Sequence, residues 1–485
     1  MSRRRGQYRD RPRRPGRMIW YGTLGILWLC LLFWILVLLA AVPARSLERS
    51  ASRPDVLSRD AGRASALPDD SAPYVPQHDG EDLSTLEMVI EVCRHGARAP
   101  LSTYPNDPRP YTRWPVGPGE LTLYGAHRQY QLGQHMRAEY GQVIPQRYQV
   151  REVYIRSSNI NRALMSAYAQ AAGLFAADEA YTRGDEQRPG GLPGGWQAVP
   201  IHSDAIEHDH VMLPANGCPR WEALQRARQQ SSEWAAQERE HAEFLDRLGR
   251  DVLGLSRPAT LADADNAFDV WQCDDAEGIV LPANVTAAVR QQVERLYQWL
   301  FIGMYRGTEQ ARLSGGSLAH QLLTLLQQRA AGQRFERFAL FSGHDTTLLA
   351  LLSVLGALPK ASPSFNATVI LELHRRDPGD RWYVTARYDW KPLTVPGCAP
   401  ECPLPQLARI LKPLLVDPHD ATTWNRLCRV RGDSWLDRVA SGATSGGLQP
   451  LLLLLLAVLV VLLPLSFLLG KRYARVRATP TYQQL

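Results

Sequence analysis

The chain has 485 residues, 45% of them hydrophobic, with 13 Trp, which is enough for a large catalytic unit with a real core. Its net charge of +7 does not mark a nucleic-acid binder, because the charge sits at the two ends. Residues 1–17 hold eight Arg against Asp10 alone, and Lys471, Arg472, Arg475 and Arg477 lie in the tail; those +7 and +4 leave about −4 for everything between.

In chain order, residues 1–17 form a basic cytosolic tail. Residues 18–42 are a nearly unbroken apolar run, longer than the roughly 7–15-residue core of a signal peptide and long enough to span a bilayer. A retained signal anchor is expected there, with a signal peptide cleaved near Val42-Pro43-Ala44 as the alternative. Residues 43–83, rich in Ser, Asp, Arg and Pro, read as a stalk. The catalytic unit is assigned to 84–435. In it, residues 86–92 are an apolar strand running into Arg94-His95-Gly96, and 120–140 are a helix with Leu121, Tyr124, Leu132 and Met136 on one stripe. Residues 153–155 are a strand ending at Arg156, and 163–175 a helix. Residues 178–330 are assigned to an α-helical cap, with helical pattern at 221–255 and 287–330. A strand at 338–341 leads to Gly343-His344-Asp345 and a helix at 346–355; strands at 369–373 and 382–388 follow. A linker at 436–447 precedes a charge-free apolar run at 448–470, a transmembrane helix, and a cytosolic tail at 471–485.

Both clusters of Arg and Lys lie outside the two spans, which places both ends in the cytosol and residues 43–447 in the lumen. Two N-glycosylation sequons, at Asn284 and Asn366, fall in that lumenal part. So do Cys93, Cys218, Cys273, Cys398, Cys402 and Cys428, in a compartment that permits disulfides. Cys398 and Cys402 suit a small local loop; no further Cys or His follows at metal-ligand spacing.

The expected fold is α/β, a mainly parallel sheet flanked by helices and carrying the helical cap. Three strands end on Arg94-His95, Arg156 and His344, and ligands bind at the carboxyl ends of strands in such sheets, so these groups are expected to converge. Their chemistry suits a phosphate monoester. His95 offers an imidazole nucleophile, Arg94, Arg98 and Arg156 offer permanently charged donors for phosphoryl oxygens, and Asp345 is a proton donor beside His344. Arg side chains around His95 would lower its pKa and keep it nucleophilic in acid.

Arg94-His95-Gly96-Ala97-Arg98-Ala99-Pro100 and Gly343-His344-Asp345-Thr346-Thr347 match the two signatures of the histidine acid phosphatases of lysosomal and prostatic type. Gly119-Glu120-Leu121-Thr122, Gly125, Leu132-Gly133 and the block from Arg156 to Ala167 resemble that family between them, and the likeness covers about residues 85–430. The resemblance implies a phosphoglycerate-mutase-like core, His95 as a phosphohistidine nucleophile, Arg94, Arg98, Arg156 and His344 as phosphate ligands, Asp345 as acid, and no metal or other cofactor. It implies the disulfides Cys218–Cys428 and Cys398–Cys402, and a third bridge lost because Cys273 would face Thr368. Asn159 stands where the family has Asp, which would weaken support of Arg156. A phytase-like or sugar-phosphate phosphatase of the same superfamily, or a non-catalytic receptor on this fold, are the alternatives. A homodimer is left open.

Tyr473-Ala474-Arg475-Val476 and Tyr482-Gln483-Gln484-Leu485 fit the tyrosine-x-x-bulky pattern of sorting signals, with Tyr473, Val476, Tyr482 and Leu485 as the residues read by a clathrin adaptor. The expected protein is thus an endosomal or lysosomal membrane phosphatase acting on phosphomonoesters. Changing both Tyr473 and Tyr482 to Ala is expected to redistribute it to the cell surface. Unchanged steady-state surface labelling in the double variant would refute the sorting role.

Overall fold

A computed structural model describes residues 83–109, 114–175, 192, 195–376 and 381–430. The two expected membrane spans, the basic N-terminus and the C-terminal tail with its tyrosine motifs lie outside those residues. Among the described residues no helix is long and apolar enough to cross a membrane.

Seven strands form one sheet: β1 (Leu86–Arg94), β2 (Val153–Ser157), β3 (Phe338–Gly343), β4 (Thr368–Arg376), β5 (Arg381–Tyr388), β6 (Lys391–Leu393) and β7 (Cys402–Pro403). Their order is β2-β3-β1-β4-β5-β6, with β7 also paired to β5. Only β2, β3 and β1 run parallel; β4, β5, β6 and β7 join antiparallel. The expectation of a mainly parallel sheet is therefore corrected to a mixed one. The reason lies in chain length: the β4–β5 and β5–β6 links are too short for a crossover and permit only hairpins.

The helices are α1 (Leu123–Tyr140), α2 (Asn161–Leu174), α3 (Pro219–Gln229), α4 (Ser232–Glu240), α5 (Ala242–Arg247), α6 (Leu261–Ala276), α7 (Ala287–Gly303), α8 (Thr308–Ala330), α9 (Asp345–Val354), α10 (Leu404–Leu411) and α11 (Ala421–Cys428). Strand β1 is buried on both faces, as a central strand covered on both sides should be, and all but Glu87, Glu91 and Arg94 of its residues are apolar. Met88, Ile90 and Val92 pack with α8 and α9 through Leu322, Leu326 and Leu348. Val89 and Cys93 face α1 and α2 through Met136, Ala167 and Leu174.

A separate apolar cluster, including Phe244, Leu261, Trp271, Val293 and Leu300, is the core of the cap. Helix α8, expected in the cap, instead packs into the core of the sheet through Leu318, Leu322 and Leu326. Helix α6, absent from the expected elements, carries five Asp in its 16 residues and buries small side chains such as Ala264 and Ala267, so its apolar stripe is faint. Cys218–Cys428 and Cys398–Cys402 are bonded, while Cys93 and Cys273 are buried free thiols. Asn284 is exposed.

One buried group in β1 makes the fold sensitive to pH. Glu91 is fully buried; its Oε1 accepts a hydrogen bond from Gln170 Nε2 at 2.7 Å, and Oε2 has no partner among the described residues. Burial pushes its pKa up to about 8, against the smaller opposing pull of Gln170. A folded pKa above the unfolded one gives stability that is fully present below the unfolded value of 4.5 and lost as pH rises through about 8. Wild-type stability is therefore expected to fall from about pH 5 to pH 8, by up to about 1.4 kcal/mol per pH unit, and Glu91→Gln to flatten that slope. Parallel denaturation profiles for the two proteins would refute this.

Candidate active site

β1 and β3 are parallel neighbours with Arg94 level with Gly343. The residues that follow, His95 and His344-Asp345, therefore leave the sheet side by side at its carboxyl edge. The His95 N–H donates to the Gly343 carbonyl at 3.0 Å, and the two imidazole centroids are 5.3 Å apart.

The loop after β1 is held against α1 by close backbone contact. A Cβ on Gly96 would lie 2.3 Å from the Gly125 carbonyl oxygen, and one on Gly125 would lie 2.1 Å from that of Ala97, so any side chain at either position forces the loop off the helix. Thr122 caps α1 by accepting from the Gly125 N–H at 2.9 Å. The Gly96 N–H donates to Ser166 Oγ at 3.1 Å. Gln129 Nε2 donates to the Arg94 carbonyl at 2.9 Å and to Asn366 Oδ1 at 2.8 Å. Asn366, expected as a glycan acceptor, is thus a positive-φ turn residue tied to the catalytic loop, and Thr368 of its sequon is fully buried in β4.

His95 Nδ1 lies 2.8 Å from the Gly96 carbonyl, which can only accept, so Nδ1 carries the proton and Nε2 presents its lone pair. Nε2 accepts from Arg162 Nε at 3.0 Å. Burial first, then His344, Arg94, Arg162 and Arg98, hold the His95 pKa well below its ordinary value. Arg94 is buried, with Nη2 at 2.9 Å from Asp345 Oδ2, Nη1 donating to the Pro363 carbonyl at 2.6 Å, and its guanidinium over the Phe365 ring. Arg98 Nη2 lies 2.6 Å from Asp269 Oδ1. His344 Nε2 meets Ser158 Oγ at 2.8 Å, while Nδ1 is buried with no partner among the described residues. Burial, then Arg162, Arg94 and Arg98, push the His344 pKa down to about 3 against the opposing pull of Asp345. For Asp345 burial works upward, but Arg94 and Arg98 prevail and hold the carboxyl below its usual range. A cavity of about 430 Å³ opens over His95, Arg98, Arg162, Asp269, His344 and Asp345. Among the described residues no three His, Cys, Asp or Glu side chains are placed to share a metal ion.

Arg156 is not in this cavity. It ion-pairs with Asp204 and with buried Asp209, at 2.5 and 2.7 Å, and Nη1 donates to Gln321 of α8 at 3.3 Å. The two-residue alternation of β2 explains this. Val153 and Ile155 face α1 and α2, so Arg156 falls with Tyr154 on the opposite face, toward α8. Asn159 is exposed, so the Asp-to-Asn difference does not bear on Arg156. The arginine that reaches His95 is Arg162, in the first turn of α2. A signal for it exists in the sequence: Arg162, Ser166 and Gln170 are polar residues at four-residue spacing in an otherwise apolar helix, and all three face β1 or its loop.

Residues 85–385 match the model of the histidine phosphatase superfamily, branch 2. The chain belongs to that superfamily. It is a phosphatase. The human lysosomal acid phosphatase is 32% identical over 388 residues, covering 77% of this chain and 87% of the relative. The bovine prostatic acid phosphatase is 28% identical over 369 residues, 74% of this chain and 92% of the relative. The Hafnia alvei phytase in complex with myo-inositol hexakis sulphate is similar in fold, with a TM-score of 0.53 at 17% identity over 71% of this chain and 98% of that one.

The two arginines are expected to behave differently in the phosphatase. Arg162→Ala should lower kcat/KM by about 100-fold or more while leaving the melting temperature near wild type. Arg156→Ala strands the buried Asp209 and should cost about 3–5 kcal/mol of stability, with the folded fraction keeping its turnover. Equal kinetic losses in both would contradict this assignment.

Proposed function

We propose that the chain is an acid phosphatase that hydrolyses phosphate monoesters through a phosphohistidine at His95. The observation that carries this is the unprotonated Nε2 of His95, its tautomer fixed by the Nδ1–H bond to the Gly96 carbonyl and its lone pair kept by burial and its cationic neighbours. A phosphoryl group entering the cavity takes over the Arg162 hydrogen bond to Nε2 and meets Arg98 and His344 on its other oxygens, with Arg94 charge close behind Asp345. Nε2 then attacks phosphorus, and the bond to the alcohol oxygen breaks with its electron pair. Asp345 supplies the proton to the departing alkoxide. In the second half, Asp345 as carboxylate takes a proton from water, whose oxygen attacks phosphorus; the N–P bond breaks and inorganic phosphate leaves. Asp345 is held ionised by Arg94 in the empty site, and the incoming phosphoryl anion competes for that arginine, which raises the carboxyl toward protonation.

The apolar runs at 18–42 and 448–470, the basic ends and the kinship with lysosomal acid phosphatases support a lumenal catalytic unit held in the endosomal or lysosomal membrane. The tail motifs support recognition by a clathrin adaptor.

Hydrolysis of p-nitrophenyl phosphate is expected to resist chelators and to be lost by about 1,000-fold or more in His95→Ala. An acid-labile phosphoryl label should be trapped on wild type alone. Because Asp345 must be protonated while His95 stays neutral in acid, kcat/KM should fall from about pH 5 to pH 8. Full activity in His95→Ala, or a rate rising across that range, would overturn the mechanism.

A further inference from the structure

The end of β2 reaches the site by a residue other than Arg156. Ser157 is level with Ser342 of β3, and the Ser158 N–H extends the pairing by donating to the Ser342 carbonyl at 3.2 Å. His344 stands just beyond Ser342, and Ser158 Oγ lies 2.8 Å from its Nε2, with both side chains buried. Three strand ends therefore meet at the site, and the contribution of β2 is a hydroxyl.

The hydroxyls around it show where its proton goes. Ser157, Ser166, Ser342 and Thr347 each donate to a backbone carbonyl, those of Ser158, Arg162, Ala163 and Met212. Ser158 Oγ has no such carbonyl among the described residues; its partner there is the imidazole. A neutral imidazole carries its proton on one nitrogen only. On Nε2 it would make Ser158 the acceptor and strand the buried hydroxyl proton, which is costly. On Nδ1 it lets Ser158 donate to Nε2, and the one proton still unplaced is that of Nδ1. That nitrogen is buried without a hydrogen bond among the described residues. Thr347 Oγ1 accepts from the His344 N–H at 3.0 Å, but the return approach of the Thr347 N–H to the imidazole falls short of a hydrogen bond. His344 lines the cavity, so the Nδ1 proton is left for a ligand that enters there.

We propose that Ser158 is a positioning residue for phosphoryl transfer: by donating to Nε2 it holds the His344 proton on Nδ1, from which the imidazole donates to a phosphoryl oxygen. This deepens the phosphatase reading above and rests on it. Without the hydroxyl either nitrogen can carry the proton, and a bare Nδ1 would turn its lone pair toward the anion. Ser158 does not touch the reacting group and acts only through the imidazole.

The experiment measures p-nitrophenyl phosphate hydrolysis and orthovanadate inhibition in wild type, Ser158→Ala, Ser158→Thr, His344→Ala and the Ser158→Ala/His344→Ala double variant. Ser158→Ala should lower kcat/KM about tenfold and weaken vanadate inhibition by a similar factor, while Ser158→Thr, which keeps the hydroxyl, should stay within about threefold of wild type. In the His344→Ala background the Ser158→Ala change should cost nothing further, because the group through which it acts is gone. Nitrogen NMR of histidine-labelled wild type, with the His344 signals assigned by their loss in His344→Ala, should show Nδ1 protonated and Nε2 bare; this readout stands even if Ser158→Ala does not fold. Wild-type kinetics in Ser158→Ala, a tenfold loss repeated in the His344→Ala background, equal losses in Ser158→Ala and Ser158→Thr, or a proton on Nε2 would each overturn the role. Failure of wild type to hydrolyse p-nitrophenyl phosphate would instead overturn the phosphatase reading, and the role with it.

Discussion

The parallel pairing of β1 with β3, with Arg94 level with Gly343, is the constraint on which the site depends. β1 ends on Arg94 with His95 next in the chain, β3 is followed directly by His344, and this register sets the two ends beside one another. The hydrogen bond from the His95 N–H to the Gly343 carbonyl extends the ladder by one step, so the nucleophile starts from a backbone as fixed as the sheet itself. From there the positions of His344 and Asp345 follow, since α9 begins at Asp345 directly beyond the strand. The glycine contact between Gly96 and Gly125 then sets how far the loop stands off α1.

Electrostatic balance follows from that geometry. Buried guanidinium groups are costly unless paired, and Arg94 and Arg98 each hold a carboxylate, Asp345 and Asp269. Arg162 is the exception, as its Nε donates to the neutral His95. Three cations around two imidazoles make protonation of either ring unfavourable, and burial adds to the effect. The site is thus poised with a neutral nucleophile and an anion-seeking floor before any substrate arrives. The cost of gathering these charges is met by the packing of β1 between α1/α2 and α8/α9, an apolar sandwich on both faces.

Much of this was legible in the residues. His95, Arg94, Arg98, His344 and Asp345 were placed by short motifs in which chain neighbours stay neighbours in space, and the structure brings all five together. Arg156 departs from its expected place because a strand alternates its faces, and the side chain one step before the end of β2 falls on the face toward α8. Arg162 lies inside a helix, away from the strand-end motifs, and its only mark in the sequence is that Ser166 and Gln170 repeat with it at the helical period. Helix α6 leaves little trace in the sequence because its stripe is made of Ala among Asp, and the layer of α8 is not legible there because amphipathicity says that a face is buried but not against what.

By itself the sequence determined the chemistry at the strand ends, the strands and most helices of the core, and the apolar runs outside the described residues, because each depends on residues close together in the chain. Tertiary structure alone decided that β4 lies antiparallel beside β1, that Asn366 is a brace for the catalytic loop, and that α6 and α7 close the mouth of the cavity with Asp265 and two aromatic rings. Those outcomes depend on strand register, face and helix packing, which couple residues tens to hundreds of positions apart and leave no local mark.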